Sequence, residues 1–219
     1  MADETAPAVG PRGRGRPVGS DSAETRANIL RAARAVINER GYEAATFKAI
    51  AVRAGISRPT MHYYFATKED LYDCLQREAF AAVAASIAAA KQRNTLLEQL
   101  TAFISAAGEQ DPSDGSMMRF VIASRLEQHR HPELRGSVTP VAEAVADFYT
   151  WMVDEAMRRG EIPEDVDTGA VVNMLSAMFW GMGFFGRFVH GSEPAIAVAK
   201  QLNRMLRRGL LPSPASLAV

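Results

Sequence analysis

The chain has 219 residues, of which 47% are hydrophobic and 23% are charged, so it holds enough apolar material for a core and wholesale disorder is excluded. Lys and Arg together number 25, as do Asp and Glu, but these charges are unevenly placed. Residues 12–68 contain eleven basic and four acidic residues, a net charge of +7, which leaves −7 on the rest of the chain. A basic segment joined to an acidic body predicts that the segment meets a polyanion and the body does not.

The first elements in chain order are a basic arm and a helix. Residues 1–19 are rich in Pro, Gly, Ala and Arg without hydrophobic periodicity, which predicts a flexible arm. An Asp at position 21 answered by Glu24 is a capping box, so we expect Asp21 to cap a first helix over about 22–40. Gly41 is expected to end that helix.

Two short helices are predicted next. Thr46 is a cap for a second helix that Gly55 ends, and Ser57 is a cap for a third that continues through Phe65. Two short helices joined by a glycine turn and braced by a longer helix form a helix-turn-helix, which places its second helix in the major groove of DNA. We therefore assign residues 20–68 to a DNA-binding domain.

The remainder of the chain is also predicted to be helical. Thr67-Lys68-Glu69-Asp70 marks the start of a long helix towards Arg93, and no stretch shows the period-two alternation of a strand. The fold class is therefore all-α, with a larger domain over residues 69–211 and a short tail over 212–219. Breaks at Pro and Gly predict further helices near 94–109, 115–130, 133–159, 167–189 and 193–209.

The orientation of the third helix follows from its periodicity. At about 100° per residue, Met61 and Phe65 share one side, which we expect to be buried, and Tyr63 lies opposite. A packed core helix is the alternative, but it does not explain why aromatic, hydroxyl and basic groups share the outward positions. The residues expected to face the groove are Pro59, Thr60 and Tyr63, with Arg58, His62 and Tyr64 on the flanks.

The sequence across these helices contains one long motif: Ile50-Ala51, Ala54-Gly55-Ile56-Ser57, Thr60-Met61-His62-Tyr63-Tyr64-Phe65, Lys68 and Leu71. This motif, within roughly residues 24–75, resembles the DNA-binding signature of the TetR family of bacterial one-component repressors. The resemblance implies an all-helical homodimer whose C-terminal domain binds a small effector and releases double-stranded operator DNA.

The resemblance also assigns roles by position. Position 62 departs from the family, which usually has Tyr where this chain has His62. Base contacts are implied for Lys48, Arg58, Pro59, Thr60 and Tyr63, and phosphate contacts are implied for Thr46, His62, Tyr64 and Lys68.

The arm contains a second candidate DNA contact. Gly13-Arg14-Gly15-Arg16-Pro17 resembles the core of an AT-hook, in which Arg side chains lie along a narrow A·T-rich minor groove. We expect Arg12, Arg14 and Arg16 to add affinity and salt dependence more than base choice. The alternative is a solvated tail that makes no contact.

The larger domain has candidate effector residues. The family resemblance implies an apolar cavity between helices, which aromatic and Met side chains could line, although packing in a core is the favoured interpretation for any single one of them. We favour a lipophilic or acyl-type effector, because the acidic residues near 143–154 lie opposite the apolar face of their helix. The candidates are Phe103, Met117, Phe120, Phe148, Trp151, Met174 and Met178.

The last two helices bear on assembly and on membranes. The helix over 167–189 is apolar nearly all round, so it needs cover on both sides, which a second copy of the chain supplies. The glycines at 181, 183 and 186 permit close helix approach or serve as local packing devices. Its uncharged run is just long enough to span a membrane, but we interpret it as a buried helix. A homodimer predicts a pseudo-palindromic operator.

Enzymatic and redox functions are disfavoured. The cluster of Glu127, His129, His131 and Glu133 lacks the spacing of a zinc hydrolase, and no nucleophile elbow or phosphate loop is present. We expect no catalytic residue, no metal and no cofactor. The single Cys74 excludes an internal disulfide and is interpreted as a packing residue. The absence of a secretory signal predicts a cytoplasmic protein.

One rival function shares the same DNA-binding domain. An architectural DNA-binding protein without an effector would have the same domain and arm but a filled C-terminal core. Sequence does not separate the two, since a cavity and a core use the same residues.

Overall fold

The computed structural model describes residues 18–109, 115–132 and 141–185, together with residues 201 and 204. Every regular element in these described ranges is a helix, which confirms the all-α class. The helices are α1 (Val18–Ala44), α2 (Phe47–Ala54), α3 (Arg58–Tyr64), α4 (Lys68–Lys91), α5 (Leu96–Glu109), α6 (Ser116–Arg130), α7 (Val141–Arg158) and α8 (Thr168–Phe184). Helices α1–α3 are called the head and α4–α8 the body.

The largest difference from the expected boundaries is at the start of α1. The helix already includes Val18, so the prediction that Asp21 is its N-cap is wrong. The helix extends past the capping signal, and no proline lies between Val18 and Asp21 to interrupt it. Gly41, with φ of 78° and ψ of 169°, interrupts α1 near the expected end.

Several predicted segments lie wholly or partly outside the described residues. These are the arm, the beginning of the helix predicted over 133–159, the end of the one predicted over 167–189, and the tail. Of the helix predicted over 193–209, residues 201 and 204 are described and are helical.

Side-chain caps define the ends of the short helices. The Thr46 hydroxyl accepts a hydrogen bond from the Ala49 amide at 3.2 Å, and the Ser57 hydroxyl accepts one from the Thr60 amide at 3.2 Å. Between them, Gly55 adopts the left-handed conformation, φ 66° and ψ 32°, which glycine tolerates without steric cost. These contacts confirm Thr46 and Ser57 as N-caps and Gly55 as the end of α2, while α3 ends at Tyr64, one residue before the predicted end.

The head is joined to the body through α1. The Asn38 amide donates to the Ser116 carbonyl at 2.8 Å, and Arg34 Nε donates to the Ser116 hydroxyl at 3.1 Å. The ring of Tyr42 packs edge-on against Tyr72 of α4, with centroids 4.8 Å apart. The start of α6 and the first half of α4 therefore both lie against α1. No described helix has the length and apolar character needed to cross a membrane.

Candidate DNA interface

Helix α3 is anchored by one side and exposed on the other. Met61 is completely buried and Phe65 is 3% exposed, while Tyr63 is 82% exposed. This confirms the orientation predicted from the helical period. An exposed tyrosine keeps its ring and its hydroxyl available for contact with a partner.

The neighbours of Tyr63 hold the outward face in position. The ring of Tyr64 packs edge-on against Tyr63, with centroids 5.2 Å apart, and the Tyr64 hydroxyl lies 3.4 Å from the Ser22 hydroxyl of α1. The Thr60 and Ser57 hydroxyls are 2.8 Å apart, so Thr60 is partly occupied by the cap. Arg58 and Pro59 are exposed.

Helix α2 contributes the second part of the interface. Lys48 and Thr46 are exposed, and the Thr46 oxygen that accepts from Ala49 leaves its hydroxyl proton for a phosphate. His62 of α3 is exposed, and its ring lies 5.0 Å from that of Phe47. The two helices are therefore joined at the edge where the phosphate contacts are expected.

Lys68 is placed differently from the other candidates. Its ammonium donates to the Tyr42 carbonyl at 3.2 Å and lies 3.9 Å from the centroid of the Tyr42 ring. It therefore satisfies a carbonyl at the end of α1, and at most two of its three donors remain for a phosphate. Sequence reasoning did not find this structural contact.

Some basic side chains of the head have partners within the chain and others do not. Arg53 pairs with Glu39 at 2.8 Å, and Arg26 lies over the Phe65 ring with its guanidinium 3.0 Å from Cys74 Sγ. Neither Lys48 nor Arg58 has an acidic partner within the part of the chain that the structure describes. The unneutralised charges of the helix-turn-helix thus include the two predicted to reach DNA.

Comparison with known proteins agrees with this geometry. Residues 29–75, which span most of α1 through the start of α4, match the family described as bacterial regulatory proteins, tetR family.

The DNA-binding segment, residues 29–75, belongs to the tetR family of bacterial regulatory proteins.

Relatives match well beyond the head. The transcriptional regulator UidR of Escherichia coli is 24% identical, over 74% of this chain and 82% of its own length. The transcriptional repressor BepR of Brucella suis is 27% identical, over 80% and 85% respectively. The structure of the regulator FadR from Bacillus subtilis in complex with stearoyl-CoA is 22% identical, covers 82% of this chain and 96% of its own, and has a TM-score of 0.66.

The residues predicted to line an effector cavity fall into separate places. Phe103 and Phe148 are buried with ring centroids 5.1 Å apart, and Trp151 stacks on Phe148 at 6.1 Å. Phe120 instead packs against Tyr72, 5.6 Å between centroids, and Met117 lies at the junction of head and body near Arg34.

The two predicted cavity residues on α8 lie nearer the surface. Met174 is 49% exposed, and Met178 is half-buried. Phe184, further along α8, is also 49% exposed. Gly183 marks a close approach within the chain, because a Cβ there would lie 2.7 Å from Ile122 Cδ1 of α6. Gly181 has no such neighbour among the described atoms.

The structure also reveals buried polar groups that the sequence analysis did not single out. The Tyr72 hydroxyl is buried with no hydrogen-bond partner in the described structure, and desolvation, with a smaller contribution from Glu127, raises the pKa of Tyr72 well above its usual value. Gln99 is 1% exposed, and its amide donates to the Arg93 carbonyl at 3.0 Å. The burial of Tyr72 could have been predicted from the sequence, because Tyr72 lies on the side of α4 that the helical period marks as buried.

The acid and histidine cluster of the sequence, which was not expected to bind a metal, is placed at the end of α6. His131 Nε2 lies 3.5 Å from Glu43 and 3.9 Å from Glu127, while His129 is exposed and Glu133 lies outside the described residues. Among the described side chains, no three His, Cys, Asp or Glu groups are arranged to hold a metal ion. Cys74 is partly buried, and its sulfur accepts hydrogen bonds from Arg26 and Arg77.

Proposed function

We propose that this TetR-family protein is a cytoplasmic, ligand-responsive repressor that binds a palindromic operator as a homodimer. The observation that carries the proposal is the solvent-facing side of α3, where Tyr63 is 82% exposed and Arg58 has no acidic partner in the described structure. Below it, Met61 is completely buried, so the reading face is rigidly supported. Rigid presentation lowers the entropy lost on binding DNA.

Contacts to DNA divide between bases and backbone. Base edges in the major groove are read by Arg58, Tyr63 and Lys48, since a guanidinium suits guanine and an aromatic ring suits the thymine methyl. Pro59 and Thr60 lie beside Tyr63 on the same face. Phosphates are held by Thr46, His62, Tyr64 and Lys68, and the minor groove is held by Arg12, Arg14 and Arg16 of the arm.

Dimerisation is supported by the surface of α8. This helix contains no charged residue, yet Leu175 and Phe179 are the two residues of it that are buried. Met174 and Phe184 are each half exposed. Covering this surface with a second copy removes apolar area from water at about 25 cal/mol per Å². A two-fold axis there would set two α3 helices on successive turns of an operator.

The proposed effector is small and lipophilic, and it binds in the body. Support comes from the stearoyl-CoA bound to the similarly folded FadR. The apolar aromatic cluster of Phe103, Phe148 and Trp151 would have to open to admit such a ligand. The alternative is an architectural DNA-binding protein without an effector. The direct packing of Phe103 on Phe148, both almost fully buried, favours that alternative, because it leaves no space between these two rings.

Selection of bound sequences from random duplex DNA tests the DNA-binding part. The full chain at near-physiological salt is expected to enrich a palindrome, and a variant lacking residues 1–19 is expected to lose A·T preference flanking it. Uniform, weak and salt-sensitive binding with no enriched sequence would overturn the operator proposal and favour the architectural one.

The effector and the direction of regulation need separate measurements. The enriched palindrome is titrated with protein in the presence of stearoyl-CoA or free coenzyme A, and only the acyl compound is expected to weaken binding. A reporter gene behind the palindrome is expected to be expressed less when the protein is present. Higher expression would contradict repression, and an unchanged operator affinity across a series of acyl-CoA chain lengths would contradict an acyl effector.

A further inference from the structure

A cleft lies where α1, α4 and α6 meet, at the junction of the head and the body. It opens to solvent and has a volume of about 510 Å³, within the range of small-molecule sites. Arg31 and Arg34 form one wall, Glu78 and alanines of α4 form another, and Met117 closes the end. This cleft is separate from the aromatic cluster of the body, and neither the family assignment nor the DNA-binding face accounts for it.

The charged groups of the cleft are unequal. Arg31 and Arg34 are one helical turn apart on the same face of α1, so both guanidiniums reach the cleft. Arg31 is exposed, and its described side-chain contact is a long 3.4 Å hydrogen bond to Asn28. Arg34 lies 3.5 Å from Glu78, its single acidic neighbour there, which leaves an excess of one positive charge in the cleft.

The rest of the lining is apolar and small. Ala81 and Ala82 present only methyl groups from α4, and Met117 adds a flexible, polarisable side chain from α6. Such a surface accepts an alkyl chain or a flat ring without a fixed shape. The planar guanidiniums beside it suit the two oxygens of a carboxylate.

We propose that this cleft binds a small amphipathic anion. Its carboxylate is held by Arg31 and Arg34, and its apolar body lies along the alanines of α4 and against Met117. The carboxylate competes with Glu78 for Arg34, so binding exchanges an internal ion pair for one with the ligand. Because no step involves the aromatic cluster of the body, this site stands or falls independently of the effector proposed above.

The cleft is lined by residues of both the head and the body, so a bound ligand would affect how the head packs on the body. Arg34 lines the cleft and also bonds to Ser116, the first residue of α6, so the cleft shares a residue with one of the contacts that join α1 to the body. A ligand that touches α1, α4 and α6 together stabilises the arrangement in which all three line the cleft. Anion binding is therefore expected to change DNA affinity.

Calorimetric titration with decanoate, and with decanol as the uncharged match, tests the charge recognition. Arg31→Gln is expected to weaken decanoate binding about 5- to 10-fold, as for loss of one exposed charge-assisted hydrogen bond, and to leave decanol binding unchanged. Arg125→Gln is the matched control, because Arg125 is exposed on α6 and does not line the cleft. Equal decanoate affinities for the protein and Arg31→Gln would overturn the proposal.

A second variant tests the location. Ala81→Trp fills the cleft from an exposed position of α4, so the fold is expected to survive by circular dichroism and both ligands to bind at least 10-fold more weakly. Unchanged binding in a folded Ala81→Trp would place the ligand elsewhere and overturn the site.

A third experiment uses vesicles of phosphatidylglycerol. Arg31-dependent binding to vesicles without binding of free decanoate would assign the anion to a lipid surface and overturn the soluble ligand.

Discussion

In the head, α3 leaves Tyr63 82% exposed, whereas in the body Phe103 and Phe148 are buried against one another. Both regions are built from amphipathic helices with aromatic residues, so the presence of aromatic side chains does not distinguish a binding face from a core. What distinguishes a binding face from a core is whether other helices cover the second side of the helix. Helix α3 is only seven residues long, and its anchor Met61 leaves the outward side without cover.

Removing a buried aromatic side chain from the body should cause the largest loss of stability. Phe103→Ala deletes a completely buried ring that contacts Phe148, Tyr149 and Phe179, and is expected to lower the free energy of unfolding by about 3–5 kcal/mol. Urea unfolding followed by circular dichroism measures this. Leu126→Ala, at a 53% exposed position, is the control and should change stability by less than about 0.5 kcal/mol. Similar losses for both variants would contradict the assignment of Phe103 to a tight core.

Removing the exposed aromatic side chain of the head should weaken DNA binding and leave stability almost unchanged. Tyr63→Ala is expected to lower operator affinity by about 1–3 kcal/mol, roughly 5- to 150-fold, and to change stability by less than about 0.5 kcal/mol. Fluorescence anisotropy with the selected operator measures the first quantity and urea unfolding the second. Tyr63→Phe, which keeps the ring, should recover most of the affinity. A Tyr63→Ala protein that binds normally would show that exposure at α3 does not mark the reading face.

The junction between the two regions should be sensitive to alkaline pH. Burial raises the pKa of Tyr72 above that of an unfolded tyrosine, so above about pH 10 the unfolded chain loses a proton that the folded protein keeps, and stability falls as pH rises. Tyr72→Phe removes this dependence together with a buried hydroxyl that has no described hydrogen-bond partner. The difference between the urea midpoints at pH 8 and pH 10.5 should therefore be smaller in the variant, which keeps the contribution of Tyr149. Tyr149→Phe provides a comparison, because burial also raises the pKa of Tyr149.

Two lysines of the interface should separate by their effect on stability. Lys48→Gln removes an exposed charge assigned to a base edge and is expected to weaken operator binding without loss of stability. Lys68→Gln removes a proposed phosphate contact and is expected to reduce the salt slope by about 0.9. It also removes the hydrogen bond to Tyr42, so about 1 kcal/mol of stability should be lost with it. The measurements are operator titrations at several salt concentrations and urea unfolding. If Lys68→Gln were as stable as the unmodified protein, its contact with Tyr42 would be incidental.

Local signals were sufficient for most of the helix-turn-helix. A cap acts within three residues and the helical period within seven, so Thr46, Ser57 and the buried Met61 were found from neighbouring residues alone. The start of α1 was misjudged because a capping signature is also compatible with the interior of a first turn. The arm remains a prediction from composition.

The effector residues show where this reasoning ends. Periodicity placed Phe103, Phe120 and Phe148 on inward faces, and all three are buried. It did not reveal that Phe120 packs on Tyr72 rather than with the other two. An inward position states that a residue is covered, but not which helix covers it.

The sequence by itself determined the helix-turn-helix, the N-caps of α2 and α3 and the face that α3 turns outward, because each depends on residues within about two turns of one another. Only the tertiary structure decided the contacts between residues far apart in the chain. Arg34 bonds to Ser116 across 82 positions, Lys68 sits over Tyr42, and Gly183 allows Ile122 to approach. Such pairs depend on the angles and distances at which helices pack, and many helix arrangements satisfy the same periodic pattern until side chains of different helices interlock.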